Sequence, residues 1–533
     1  MFKILFKQQS NQSKSLTDSF GKVKEEAFYF NLIDRYFKGS KHSKATFQRL
    51  DDAICADLDF EELFMFLDRT RSKVGQQYLY NRLRNIPKAS MGEKEALQIS
   101  RFQDDEKYRL SIEKILLKLK NGDAYYLNTL FQDTLIKPPK WMPRVKLLSL
   151  TPIVSFIGAF FNPIFIFISL GLFIVNMAIH YWNKRNVYPY ISSLPQLLNL
   201  LETAKALNKK APDEQNISNT LKQFDQIKKR ISFFKIEARL DGDMSSIFWG
   251  FLELIKMMLV LEPIMLFNIL KGLENKRAAL ATVFEYVGEQ DFLLSIASLR
   301  QGLPYWCQYD YNANPSVLKL EQLYHPLLVD FVANSLSLTG KSLLLTGSNM
   351  SGKTTFIRTV GVSTLCGQVL NTCFAKHMSL PRSKIFSTIR VNDDIMQNKS
   401  YFLEEVTRIK TLIEASEKDD PCLFLLDEIL KGTNTMERIA AGEAVLSHLS
   451  KNNNLVLVAT HDLELATSLH STFELYHFAE EIIEQKIVFD YKIKEGTLQK
   501  TNAIEILKLK NYPESITNNA QEAVKRMSTK TTP

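Results

Sequence analysis

Cysteine is scarce in this chain, and the few present are not spaced for chemistry. Five occur in 533 residues: Cys55, Cys307, Cys366, Cys373 and Cys422. The number is odd and no Cys-x-x-Cys occurs, which argues against a disulfide framework and against a zinc site. Reduced thiols in a cytosolic compartment are the simplest expectation, with Cys422 buried beside an apolar strand. The start, Met1 to Lys7, is too short an apolar run for a secretory signal and lacks a small-residue cleavage site. No repeat of roughly 20–50 residues is visible, so solenoids and propellers are not indicated. Proline is thin from Tyr36 to Lys146, where apolar residues such as Leu63, Phe66, Leu67, Val74, Tyr78 and Leu79 fall at helical steps.

One absence is local. From Leu147 to Trp182 there is no Asp, Glu, Lys or Arg. Asn162-Pro163 divides this stretch into halves of about 16 and about 20 residues, or ~24 Å and ~30 Å as helix, the second matching a bilayer core. Lys140, Arg144 and Lys146 precede it, and Lys184 and Arg185 follow. By the positive-inside rule both flanks stay cytoplasmic, which a helical hairpin turning near Asn162-Pro163 satisfies. Tyr181 and Trp182 would then sit at the interface. A buried helix pair in a soluble core is the alternative. A second apolar region, Ile247–Leu270, carries Glu253, Lys256 and Glu262, so we read it as a core helix.

What is present is ample apolar material and positive charge. The chain is 45% hydrophobic and carries a net charge of +9. Its length suggests about three to four domains. A basic surplus permits nucleic acid or an anionic membrane as partner without choosing between them. Lys228-Lys229-Arg230 is such a cluster, with a solvated helix face as the plainer reading. Residues 1–30 read as a flexible arm, 31–146 as the first helical part, 147–182 as the membrane hairpin and 183–319 as the second helical part. From 320 to 515 short β-type runs alternate with helices, as in an α/β domain with a largely parallel sheet. The expected strands are Ser342–Thr346, Leu423–Asp427, Leu455–Thr460, Phe473–Phe478 and Lys486–Lys494. Residues 516–533 read as a terminal helix and tail.

The chemistry lies in that domain. Gly347-Ser348-Asn349-Met350-Ser351-Gly352-Lys353-Thr354-Thr355 fits the phosphate-binding pattern G-x-x-x-x-G-K-[ST] after an apolar strand. Such a loop points backbone N–H groups and a helix N-terminus at polyphosphate. Lys353 should reach the β- and γ-phosphates, and Thr354 should ligate Mg²⁺, so ATP and Mg²⁺ are the expected cofactors. Leu423–Leu426 ends in Asp427-Glu428; Asp427 would hold the Mg²⁺ shell and Glu428 would polarise the attacking water. His461 follows the next strand, at the edge where ligands bind, and could sense the γ-phosphate.

These motifs resemble the MutS family ATPase. The resemblance rests on Gly347–Thr355, Ser383–Ile389, Asp393-Asp394, Asn398–Glu405, Asp427–Thr435 and Ala459-Thr460-His461. It extends more weakly to Thr70–Gly75 and Tyr78–Arg84. It implies an α plus α/β multidomain fold, a helical lever and core followed by a P-loop ATPase of the ABC-like, MutS type; the apolar hairpin, read from the residues themselves, falls inside that helical core. It also implies a dimer, here a homodimer, with Ser400 completing the partner's site in trans, Asn349 in the loop, and Gly432, Thr433 and Thr435 crossing between subunits. His325-Pro326 resembles the short motif before the sheet. DNA is the partner the resemblance implies, gripped by helical arms coupled to ATP with a typical coupling of about 1–3 kcal/mol.

Departures are visible. Ser348 and Ser351 replace a usual proline and glycine, Lys431 stands where arginine is common, and Asp462 follows the histidine. Only about 60 residues precede the core, and Phe60-Glu61-Glu62 lies in helical patterning, so no mismatch-reading wedge is expected. The reading is a membrane-anchored MutS-like ATPase facing the cytoplasm. The alternatives are an orthodox mismatch-repair ATPase in the cytoplasm and a nucleotide-gated membrane tether. A transport ATPase of the ABC class would need a Leu-Ser-Gly-Gly-Gln-like signature, and none lies between Lys353 and Asp427.

Overall fold

The computed structural model describes residues 13–40, 45–138, 140, 142–186, 188–210, 217–228, 260–311, 314, 317–348, 350–390, 401–483, 486–498 and 503–528. The chain divides into two compact units. One comprises residues 1–42, 67–82 and 92–302; the other comprises 43–66, 83–91 and 303–533.

The second unit is built on a six-stranded sheet. In chain order its strands are β1 Thr46–Arg49, β2 Asn85–Pro87, β3 Val317–Leu323, β4 Asn334–Thr339, β5 Ser342–Thr346, β6 His377–Ser379, β7 Lys384–Thr388, β8 Cys422–Asp427, β9 Leu455–Ala459, β10 Phe473–His477, β11 Glu480–Ile483, β12 Lys486–Phe489 and β13 Lys494–Glu495. The main sheet runs β13-β10-β5-β9-β8-β7. It is parallel except for β13, which pairs antiparallel with β10. Every residue of β5 is buried, as a central strand covered on both faces requires. Leu344, Phe424, Leu426, Val456 and Val458 belong to one core cluster with Leu446 and Leu449 of the helix Thr435–Leu449. Each buried Leu or Val contributes about 1.5–3 kcal/mol.

Four of the expected strands coincide with β5, β8, β9 and β10. The fifth does not. Lys486–Lys494 is not one strand: β12 pairs with β11 as a separate hairpin, and β13 joins the main sheet. Tyr491 lies between them with φ at 52°, a left-handed conformation that ends the run. The helical reading of residues 31–146 also misses β1 and β2, which pair with each other.

The first unit is helical. Its long helices include Tyr188–Lys210 and Arg277–Gly302. Its core holds a buried polar network. Asp291 accepts from Arg71 N (2.8 Å), Ser72 N (2.7 Å) and Ser72 Oγ (2.5 Å). Asp68 accepts from Lys24 Nζ (2.7 Å) and Gln76 Nε2 (2.6 Å).

The apolar stretch does fold as a hairpin, with helices Thr151–Gly158 and Ile164–Asn186 and Asn162-Pro163 in the turn. The first arm is eight residues long, half the expected length. Among the described residues no helix is long and apolar enough to cross a membrane. The transmembrane assignment of 147–182 is therefore corrected: at ~1.5 Å per residue the first arm reaches ~12 Å, against a bilayer core of ~30 Å. Of the Ile247–Leu270 region, residues 247–259 lie outside the described residues, and the rest enters the helix Leu261–Leu273.

Candidate nucleotide site

The site forms at the carboxyl ends of β5, β8 and β9, where ligands of open parallel sheets bind. After β5 the chain turns through Gly347, with φ at +141°. A Cβ there would lie 2.4 Å from Phe478 O, so only glycine fits. Gly352, with φ at +112°, opens the helix Lys353–Leu370. Between them Ser351 is buried and donates from Oγ to Ser348 O (2.8 Å), closing the loop on itself. Ser348 Oγ donates to the buried carboxylate of Glu480 (2.5 Å). Met350 projects outward, 83% exposed. Thr355 lies in the first helical turn, where its carbonyl accepts from Thr359 Oγ1 (2.6 Å). Asn349 and Ser400 lie outside the described residues, as do Asp393 and Asp394.

Lys353 is buried and donates to Gly347 O (2.7 Å) and Ser348 O (2.8 Å). Its ammonium therefore sits inside the loop, and burial lowers its pKa despite Asp427 and Glu428 nearby. Thr354 Oγ1 donates to Asp427 Oδ2 (2.7 Å). A hydroxyl and a carboxylate converging at the head of the helix are hard oxygen donors of the kind Mg²⁺ takes alongside phosphate and water. The donor set fits the ion. Among the described residues no cluster of three or more His, Cys, Asp or Glu could hold a metal, so the remaining ligands would come from nucleotide and solvent.

Glu428 and His461 meet directly, with Nε2 3.0 Å from Oε1. Lys431 Nζ lies 3.3 Å from the other oxygen. The hydrogen bond from His461 is the main reason that the Glu428 carboxyl is held down at about 2, against the opposing effect of burial. Lys353 Nζ lies 3.4 Å from the same ring nitrogen. The backbone here is unusual. Glu428 and Leu430 have φ at 54° and 59°, a region costing non-glycine residues about 1–2 kcal/mol each. Glu428 N donates to Ala459 O (2.8 Å), and Leu430 N donates to Glu405, a fully buried carboxylate.

Three contributors carry no motif of their own. Glu405 was visible only as one letter of a matching segment. Arg438 holds Asp462 through two bonds (2.9 and 2.7 Å), which fixes the residue after His461. Asp57 is buried and accepts from Ser387 Oγ (2.7 Å), Ile389 N (3.1 Å) and Arg390 N (2.7 Å) at the end of β7. An acid within a short helix gives no local signal of such a distant role.

A cavity of about 600 Å³ opens over the loop. Its lining includes the charged or polar Lys353, Asp427, Glu428 and His461, and also His325, Phe331 and Tyr491. A nucleotide has both characters, an anionic tail and a flat base. A larger cavity of about 700 Å³ lies in the helical unit among Lys22, Lys24, Arg69, Arg71 and Lys73. Several of its cations are already engaged, Lys24 with Asp68, Arg71 with Glu113 and Lys73 with Glu26. Size alone does not make it the chemical site.

Sheet order, loop geometry and the paired carboxylates define a P-loop nucleotide-binding domain. Its relatives are specific. Residues 343–528 match the family model described as MutS domain V. The chain is 32% identical over 236 residues to the DNA mismatch repair protein MutS of Clostridium botulinum, covering 42% of this chain and 25% of that protein. It is 35% identical over 202 residues to the protein of the same description from Clostridium novyi, covering 36% and 22%. With that of Petrotoga mobilis it shares 27% identity over 348 residues, covering 62% and 40%. These matches support MutS family membership. The chain spans between about a fifth and two fifths of the length of these relatives.

Proposed function

We propose that this protein is a MutS-like ATPase that binds Mg²⁺-ATP on the loop 347–355 and hydrolyses it. The observation that carries this is the convergence of Lys353, the Thr354–Asp427 pair and the His461–Glu428 pair at one sheet edge. Lys353 exchanges its loop carbonyls for phosphate oxygens. Mg²⁺, when bound, neutralises charge on the β- and γ-phosphates. Glu428, an ionised carboxylate positioned by His461, orients the attacking water and accepts its proton. His461 fixes the carboxylate and faces the γ-phosphate side.

The reading continues beyond one chain. The site is completed in a homodimer, with Ser400 reaching the partner's nucleotide. ATP turnover shifts the helical arms, whose ligand is DNA. This part rests on the MutS relatives, whose described role is mismatch repair, and mismatch repair itself is the second reading they favour. A third component is attachment to a lipid surface through residues 147–182, independent of the ATP site.

The test is turnover against protein concentration, with and without Mg²⁺. Specific activity should rise with concentration as dimers form and vanish with chelator. Activity that is constant under dilution to the monomer removes the shared site. Absence of any Mg²⁺-dependent turnover removes the ATPase.

A further inference from the structure

The hairpin 151–186 combines four features. First, the exposure of its tip has no preferred side. All nine residues from Phe160 to Ile168 are exposed, including Phe160 at 80%, Phe161 at 86% and Phe167 at 75%. Ile164–Ile168 are consecutive in a helix, and at about 100° per residue they pass all the way round it. A helix that is apolar all round belongs inside a large core or a membrane, and this one has no such core around its tip.

Second, the turn leaves no backbone donor for water. Phe160 N donates to Ile157 O (3.2 Å), while Phe161 N (2.9 Å) and Asn162 N (3.0 Å) donate to Gly158 O. Pro163 has no N–H. Ile164 N donates to Asn162 Oδ1 (3.0 Å), Phe165 N to Asn162 O (3.1 Å) and Ile166 N to Pro163 O (3.0 Å). Ser155 Oγ also spends its proton inside, on Phe165 O (2.9 Å), which ties the two arms together. In hydrocarbon an unsatisfied backbone group costs several kcal/mol, and these donors avoid that cost.

Third, the sequence that flanks the hairpin is positive and free of acids. No Asp or Glu occurs between Asp133 and Glu202, whereas Lys137, Lys140, Arg144, Lys146, Lys184 and Arg185 fall in that interval. Lys140 and Arg144 are exposed, and Tyr181 is 69% exposed at the other foot. Fourth, the first arm limits the depth of the tip: Thr151–Gly158 reaches ~12 Å, close to the ~15 Å of one leaflet's hydrocarbon, while the 23-residue second arm, Ile164–Asn186, is longer than that depth needs.

We propose that this hairpin is a monotopic insert: its tip, Phe160–Ile168, enters one leaflet of an anionic bilayer without crossing it, and the basic residues at its base bind the lipid headgroups. This rests on the lipid attachment proposed above and specifies its depth, topology and headgroup preference. Juxtamembrane Lys and Arg contribute about 1 kcal/mol each on anionic surfaces.

The experiment floats the full-length protein with vesicles of phosphatidylcholine containing a quarter phosphatidylglycerol, and with pure phosphatidylcholine. The wild type should float with both and more completely with the anionic vesicles. The triple variant Phe160→Glu, Phe161→Glu, Phe167→Glu should float roughly tenfold less or worse, while its ATP turnover in detergent is unchanged. A fluorophore on Phe161→Cys, in a Cys307→Ser background, reports depth. It should be quenched by nitroxides near the bilayer centre and be shielded from an impermeant quencher on either side. If the wild type fails to float, both the attachment and the insert are overturned. If it floats but an impermeant quencher sealed inside the vesicle reaches position 161, the hairpin crosses and only the one-leaflet insert is overturned. Equal flotation of the triple variant, or a soluble wild type whose dimer is lost in that variant, also overturns the insert.

Discussion

Two stretches of this molecule are equally apolar on paper and meet opposite fates. Leu343, Leu344 and Leu345 are fully buried in β5, with strands on both sides. Phe160, Phe161 and Phe167 are almost fully exposed. Composition cannot separate them. The difference lies in what surrounds the backbone. A central strand gets neighbours from β9 and β10 and covering helices from the same chain. The hairpin satisfies its own backbone and gets no cover at its tip. An apolar run therefore states that water will be excluded, and only the fold states by what.

The comparison can be broken first at the site the buried strands support. Lys353→Ala should weaken ATP binding roughly 100-fold or more, since charge-assisted bonds to phosphate contribute about 1.5–3 kcal/mol each. Isothermal titration checks it, and wild-type affinity would detach the loop from its assigned role. Next is the core itself. Leu344→Ala should lower the unfolding free energy by about 2–5 kcal/mol, seen as a shift in denaturant midpoint. A loss below about 1 kcal/mol would mean that the sheet is not the packed unit described.

A pH effect of about 3 kcal/mol at most should accompany it. Burial lowers the His325 pKa from 6.5 to about 4. The unfolded chain then binds more protons between those values, so stability present above pH 6.5 is lost as pH falls toward 4. His325→Gln should flatten that limb in thermal unfolding scans across this range; an unaltered limb would assign it elsewhere. Smallest of all, Phe167→Ala should change stability in detergent by no more than about 0.5 kcal/mol, because the side chain touches little protein. A loss as large as that of Leu344→Ala would show the hairpin tip to be packed after all.

Much of the nucleotide domain was legible because its signals are local. A buried strand, two glycines and a Lys-Thr pair lie within a dozen residues, and the acidic pair ends the next apolar strand. The hairpin turn at Asn162-Pro163 was legible for the same reason. The arm lengths were not, because residues 147–150 are as apolar as the helix they precede. The Lys486–Lys494 run misled because its alternation continues through Tyr491, where the backbone turns left-handed. Asp57 and Arg438 were illegible, since their partners are set by tertiary packing. The Glu428 conformation was hidden too: nothing in Asp427–Leu430 announces two left-handed residues, Glu428 bonded to Ala459 O and Leu430 bonded to Glu405.

The account stands on Glu428 as the group that activates water, and one measurement addresses it most directly. Single-turnover hydrolysis of Mg²⁺-ATP by wild type and by Glu428→Gln, at saturating nucleotide with binding measured in parallel, isolates the chemical step. The account predicts retained binding and a rate lowered by roughly 10²–10⁴-fold. An unchanged rate with unchanged binding would contradict it.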